Sequence, residues 1–543
     1  MKNVVLTVVT IGVLLLAATW TTHHVEVATV EINALAVGPA GGAVLPIQVT
    51  LFSPGDGRSY VAGVPEAGQG FGPSAQLALY VASRLSGVPY TNYTALLRVI
   101  SSDTQVGGPS ASGYITVAIY ALIKGLALRN DTAMTGIILP DGLIGPVGGV
   151  SQKVQAAASM GIKTVVVPIG ERPNVGGIKV VEVGTVDDAI YYLTGQKLNR
   201  TEVTAIDGRT FRQVTKRLLD AVYSYYNQTV GRGYVDISTV EMLKARGMYY
   251  AAASIIYRGL VDYYNQAASR NSRMFYNQAL QLAKEAESEL EAIPLTINNL
   301  DLVVAGYTRI YDIYLQANST SPQAGAMYAR AVTLRPWIEE ARRSATGPGI
   351  EKGGLAEVAR MYLDYARSMY AYVETTYRIT SSDMAAAMQL SENLYRRGLY
   401  LASMATSIDI ISRAAAVLMS QASEKYATVA RKLALSNMAT AARCGYPNTL
   451  PLSYLQYGDY FASQNDAGTA LTYYIMASIY STAIGDVVCR PELLTHHNFS
   501  PPPPPSTVYI QPPIVEKNDG REMWLVVLLT VLAAVALIYA SRR

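Results

Sequence analysis

Ser110 and Lys153 are the residues through which this chain could do covalent chemistry. Ser110 stands in Gly107-Gly108-Pro109-Ser110-Ala111-Ser112-Gly113, just before an apolar run that continues to about Leu126. A serine hydroxyl attacks poorly until a neighbouring base takes its proton. Histidine cannot be that base here: the four histidines are His23, His24, His496 and His497, so none lies from residue 25 to 495. A lysine can serve if burial among apolar groups lowers its pKa toward neutrality. Lys153 follows Gly148-Gly149 in a segment bearing Val150, Val154, Ala156 and Ala157, with no acidic residue of its own. Asp131 and Asp141 are the nearest carboxylates that precede it along the chain. A Gly-Pro turn running into a helix start leaves backbone N–H groups free to hold an oxyanion, which makes Gly108 and Ala111 candidates for that role. Taken singly, each residue has a plainer reading: Ser110 as a helix N-cap, and Lys153 as a solvated surface side chain.

The elements around them read as an α/β unit. Val25–Leu35 and Ala43–Phe52 are rich in β-formers and flank a turn at Gly38–Gly42, and a glycine-rich loop follows from Gly55 to Gly72. Its Gly68-Gln69-Gly70-Phe71-Gly72 lacks the spacing of a dinucleotide fingerprint. A helix over Ser74–Leu85, a strand over Leu96–Ile100, a strand over Ala133–Leu139 and tight turns at Asp141-Gly142 and Gly148-Gly149 come next. Then follow a helix over Val150–Met160, a strand over Lys163–Pro168 and a closing helix over Val186–Leu193. Alternation of strands and helices predicts an α/β domain over 25–197.

Three stretches resemble the Lon (S16) protease family. Gly108-Pro109-Ser110-Ala111 matches its nucleophile motif, G-P-S-A-G, or G-D-S-A-S in archaeal members; Ser112 follows the archaeal form and Pro109 the bacterial one. Asp131-Thr132-Ala133-Met134-Thr135-Gly136 is close to the family's D-V-A-M-T-G strand. Pro146-Val147-Gly148-Gly149-Val150-Ser151-Gln152-Lys153, then Ala156-Ala157 and Gly161-Ile162-Lys163-Thr164-Val165-Val166-Val167-Pro168, follow its lysine motif almost position by position. The resemblance implies a Ser110/Lys153 catalytic dyad, with Thr135 orienting the lysine. It also implies a serine endopeptidase acting on polypeptides. Members of the family carry an ATPase module before the protease domain. Here about 25 residues precede the domain, and no G-x-x-x-x-G-K-[ST] loop occurs in the sequence. The expectation is an ATP-independent peptidase for unfolded or extended chains. The family's rings are supported by the ATPase module, so a homo-oligomer is left open. The motifs have an archaeal flavour.

The chain has 543 residues, enough for two or three domains. A net charge of +4 over that length implies neither a nucleic-acid surface nor a trap for acidic substrates. Two cysteines cannot build a structural zinc site alone, and no cofactor is expected. Cys444 and Cys489 either bridge or lie as free thiols. Tyrosine is the outlier, 39 against 6 Phe, a residue that suits interfaces needing both ring area and a hydroxyl. From 205 to 490 the pattern is helical and rich in Ala and Tyr, predicting an all-α array of helical hairpins, weakly similar to tetratricopeptide repeats. Within it, Arg246-Gly247-Met248-Tyr249-Tyr250-Ala251 resembles Arg397-Gly398-Leu399-Tyr400-Leu401-Ala402.

Both ends carry membrane signals. Residues 1–24 have the shape of a secretory signal. Met523–Ala540 is apolar almost throughout and is followed by Arg542-Arg543, and its 18 residues span about 27 Å as a helix, which reads as a single transmembrane anchor. Pro-rich 498–522 reads as an extended stalk of up to roughly 75 Å. Positive charge at both ends places the body outside the cell. The sequons at Asn92, Asn130, Asn199, Asn227, Asn318 and Asn498 agree with that placement. The competing expectation is a surface scaffold or binding protein whose protease fold serves self-processing or assembly.

Overall fold

The computed structural model describes residues 25–38, 40–63, 66–67, 70–100, 105–198, 203, 206 and 208–499. The expected signal segment, the anchor and all but the first residues of the stalk lie outside them.

The N-terminal part is built on a seven-stranded sheet in the order β11 (Lys179–Val183), β10 (Thr164–Pro168), β7 (Thr132–Met134), β1 (Val25–Gly38), β2 (Gly41–Ser53), β5 (Thr94–Val99) and β3 (Ser59–Ala62), while β4 (Glu66–Ala67) and β6 (Gln105–Val106) pair separately. β1 and β2 form a long antiparallel hairpin, with β5 antiparallel to β2 and β3 parallel to β5. Period-2 burial sets these strands: Ile47, Val49 and Leu51 point inward from β2, and Ala95, Leu97 and Val99 from β5. On the other side β7, β10 and β11 run parallel to one another. Helices α1 (Phe71–Ser86), α2 (Ser112–Lys124), α3 (Val150–Ser159) and α4 (Val186–Thr194) complete this part. α2 is apolar all round because it is enclosed all round, by α1, α4 and β1.

Two expectations need correction here. The Gly55–Gly72 loop contains β3, and β11 was not read at all; both are short strands at the sheet's edges. The strand expected over Ala133–Leu139 is broken at Thr135-Gly136 into β7 and β8 (Ile137–Ile138), and β8 pairs with β9 (Ile144–Gly145) instead of continuing the main sheet.

Beyond residue 208 the chain is helical: α5 (Arg209–Thr229), α6 (Ile237–Ala245), α7 (Tyr249–Ala268), α8 (Ser272–Glu291), α9 (Leu300–Ala317), α10 (Ala324–Val332) and α11 (Arg335–Arg343). Next come α12 (Leu355–Tyr377), α13 (Ser382–Arg396), α14 (Tyr400–Leu418), α15 (Ser423–Ala442), α16 (Thr449–Ser463) and α17 (Ala467–Val488). The two similar stretches fold alike. Each joins two helices, α6 to α7 and α13 to α14, through a glycine at positive φ, +71° at Gly247 and +77° at Gly398. The region is not purely α. β12 (Gly347–Ile350) pairs antiparallel with β13 (Leu494–Phe499), which takes in the first two residues assigned to the stalk. Cys444 and Cys489 are joined by a disulfide that ties the end of α15 to the end of α17.

Among the described residues one helix, α14, is long and apolar enough to cross a membrane. It is instead the core of the helical region, with Ile408, Ile410 and Ile411 fully buried among α12, α13 and α17.

The two parts share one hydrophobic core and are also joined by polar contacts. Arg84 of α1 pairs with Asp486 of α17 at 3.5 Å. The Tyr365 hydroxyl donates to the Ile138 carbonyl, the Tyr426 hydroxyl donates to the Ile144 carbonyl at 3.1 Å, and Asn437 donates to the Asp141 carbonyl at 3.1 Å.

Candidate active site

Ser110 lies on a single 3-10 turn, Pro109–Ala111, that leads into α2. The turn is tied to the break in the β7–β8 segment. The Gly136 amide donates to the Ser110 carbonyl at 2.8 Å, and the Gly113 amide donates back to the Gly136 carbonyl at 3.0 Å. This reciprocal pair needs glycine: Gly136 has φ +153°, and a Cβ there would stand 2.6 Å from a methyl of Ile144. Ser112 closes the turn from the other side, donating to the Pro109 carbonyl at 2.6 Å and accepting from the Ile138 amide at 3.0 Å. Ser110 itself makes no N-cap bond at either helix start, so the plainer reading of this residue fails. Its side chain is half-exposed, as a nucleophile that must meet substrate requires.

Lys153 is 3% exposed, which removes the surface reading as well. It shares the buried face of α3 with Val150, Val154 and Ala157, at i, i+3, i+4 and i+7 spacing. Its Nζ donates to Thr135 Oγ1 at 3.3 Å, and Thr135 Oγ1 donates to the Ser110 carbonyl at 3.3 Å. Thr135 is fully buried at the end of β7. The Thr135 hydroxyl thus links the Lys153 amine to the main chain of Ser110. Burial pulls the Lys153 pKa down to about 8, because the charged ammonium loses its water.

A negative charge opposes that pull, and it is neither Asp131 nor Asp141. Asp131 lies in an exposed turn, and Asp141 is buried against the helical region, where its side chain accepts from the Leu143 amide. The carboxylate facing Lys153 is Glu171, in the turn after β10. Glu171 accepts from the Val147 amide at 3.1 Å, and burial raises its pKa to about 7. The sequence held an indirect signal for it. In parallel sheets, functional groups collect beyond the carboxyl ends of neighbouring strands. Thr135 follows β7 and Glu171 follows the adjacent β10.

The oxyanion candidates are placed at the turn that carries Ser110. Gly108 has φ +92° with open space on its Cβ side, and Ala111 is the second residue beyond the proline. The N–H groups that begin such a turn have no partner within the helix. The arrangement can therefore bind a developing oxyanion beside the Ser110 side chain. Among the described residues no group of His, Cys, Asp and Glu could hold a metal ion.

Comparison with known proteins bears on the same stretch of chain. The family model of the Lon protease (S16) C-terminal proteolytic domain matches residues 17–220, extending at both ends past 25–197 and reaching into α5. A Lon protease of Phenylobacterium zucineum is 39% identical over 146 residues, 26% of this chain and 18% of its own length. A Lon protease of Paraburkholderia phytofirmans is 35% identical over 173 residues, 29% of this chain and 21% of its own. The archaeal Lon protease of Thermococcus kodakarensis is 26% identical over 206 residues, 36% of this chain and 30% of its own. The chain thus spans less than a third of the length of these relatives. Motifs and family model point the same way: residues 17–220 of this chain match the Lon-type (S16) proteolytic domain.

Proposed function

We propose that the chain is a serine endopeptidase in which Ser110 attacks the scissile carbonyl and Lys153 takes its proton. The observation that carries this is the buried lysine: Nζ, held at Thr135, has a pKa near 8 and so is substantially neutral in mildly alkaline solution. The sequence of events is that of acyl transfer. Lys153 accepts the Ser110 proton, the alkoxide adds to the carbonyl, and the oxyanion is held at the Gly108–Ala111 turn. The protonated lysine then delivers its proton to the leaving amine, and water hydrolyses the acyl-enzyme by the same steps in reverse order. The Thr135 hydroxyl orients the amine throughout.

The substrates in this reading are unfolded or extended polypeptides, and the chain needs no ATP of its own, since the sequence holds no phosphate-binding loop. The body lies on the outer face of a membrane, carried by the Pro-rich segment 498–522 and anchored by Met523–Ala540. The Cys444–Cys489 disulfide supports an oxidising compartment, as do the exposed sequon residues Asn92, Asn130, Asn227 and Asn318. Protease shaving of intact cells tests the placement: a large soluble fragment cut within 498–522 is expected, and a body protected until lysis would refute it. The catalytic reading is tested by incubating the chain with an unfolded protein, with and without Ser110→Ala. Cleavage that Ser110→Ala abolishes is the expected result. Absence of cleavage, or cleavage indifferent to the substitution, would leave a surface scaffold as the better account.

A further inference from the structure

We propose that α12 of the helical region is part of the active site, with Tyr372 as a positioning residue that holds the loop in front of Lys153. The inference rests on the Ser110/Lys153 reading above.

Four hydroxyl-bearing residues, Tyr365, Ser368, Tyr372 and Thr376, fall at spacings of three, four and four along α12, which puts them on one helix face. That face lies against the loops that carry the dyad. The Ser368 hydroxyl donates to the Gly70 carbonyl at 3.1 Å. A Cβ on Gly70 would stand 3.3 Å from the Pro109 ring, so this contact abuts the nucleophile's turn. One helical turn further on, the Tyr372 hydroxyl accepts from the Gly148 amide at 3.0 Å. The methyl group of Thr376 stands 3.0 Å from where a Gly148 Cβ would be, leaving no room for a bulkier loop.

The Gly148 contact bears on the lysine. Gly149 is the N-cap of α3, and its carbonyl accepts from the Lys153 amide at 3.0 Å. The two amides before it are each held by a side chain: Val147 by Glu171 of the α/β part, and Gly148 by Tyr372 of the helical part. The start of the lysine's helix is therefore clamped from both parts of the molecule. Docking of α12 also keeps this corner dry, and it is dryness that lowers the Lys153 pKa. The titratable groups facing Glu171 are Lys153 on α3, Tyr372 and Tyr377 on α12, and Tyr426 on α15. In consequence the helical region does not merely accompany the peptidase; it sets the position and protonation of its base.

The test uses the full chain carrying Tyr372→Phe, which removes one oxygen and leaves the ring, beside Ser110→Ala and Ser368→Ala. The readouts are kcat, KM, the pH profile of a small peptide ester and the melting temperature. For Tyr372→Phe, kcat should fall about tenfold with KM within about twofold and little change in melting. The ascending limb of kcat/KM should move to higher pH, as water reaches Lys153 and its pKa climbs back toward that of free lysine. Ser368→Ala should lower kcat without moving the limb, since it acts on the Ser110 turn. If Tyr372→Phe leaves both kcat and the limb unchanged, the proposal is wrong. If it raises kcat/KM, the hydroxyl blocks a substrate-binding amide at Gly148, and positioning is again refuted. A Ser110→Ala chain as active as wild type would instead overturn the peptidase reading on which this one rests.

Discussion

In the proposed mechanism, the chemistry at the residue scale depends on keeping one amine dry. Ser110→Ala and Lys153→Ala are each expected to lower turnover by at least about 1,000-fold, and Lys153→Arg should not restore it, because guanidinium stays protonated. Normal turnover by Lys153→Ala, measured on an unfolded protein substrate, would end the dyad assignment. The pH dependence follows from the same amine. Only neutral Lys153 accepts the serine proton, so kcat/KM should rise with pH through about 8. Glu171, ionised above about pH 7, favours the ammonium form, so Glu171→Gln should carry the ascending limb to lower pH. A limb that stays in place or moves upward in a pH–rate profile would mean that Glu171 does not act on Lys153. Ser110, Lys153 and Thr135 stood out in the sequence as candidates because each sits inside a contiguous motif. Glu171 was not, because its role comes from a meeting of two strand ends, and nothing adjacent to it in the chain announces that meeting.

Among the elements, the break at Thr135-Gly136 matters most, and hydrophobic pattern alone concealed it. Ala133–Leu139 is apolar enough to read as one strand, yet Gly136 turns the chain so that its amide can reach the Ser110 carbonyl. Gly136→Ala should cost roughly 1–3 kcal/mol of stability, from the positive φ and the collision with Ile144, and should reduce turnover through the displaced Ser110 turn. A urea titration gives the first effect as a lower midpoint, and an unchanged midpoint would contradict the account. Among the elements missed by sequence reading, β3, β11 and β12 are four or five residues long, too short for a clear alternation. The helices were easier, since their apolar periodicity runs over many turns. The glycine turns at Gly247 and Gly398 recur because each ends one helix and starts the next in the same way.

At the scale of the whole molecule, the excess of tyrosine over phenylalanine finds a physical cause. Tyr365, Tyr372 and Tyr426 each bury a ring in the helical region and place a hydroxyl on a backbone group of the α/β part. The composition hinted at such an interface, but only the fold says which tyrosines form it. Within the helical region the disulfide adds a covalent tie, closing a sequence separation of 45 residues between α15 and α17. Replacing Cys444 and Cys489 together by serine should lower stability by about 2–4 kcal/mol, read by denaturant titration without reductant. No change in midpoint would show that the bridge contributes nothing. The central claim, an activated serine whose base is a lysine, is tested most directly by covalent labelling. The full chain is treated at about pH 8 with a phosphonylating probe that reacts only with activated serines, and the adduct is mapped by peptide mass spectrometry. A single adduct on Ser110, lost in Lys153→Ala, is the result expected; an adduct on another residue, or equal labelling of Ser110 without Lys153, would contradict it.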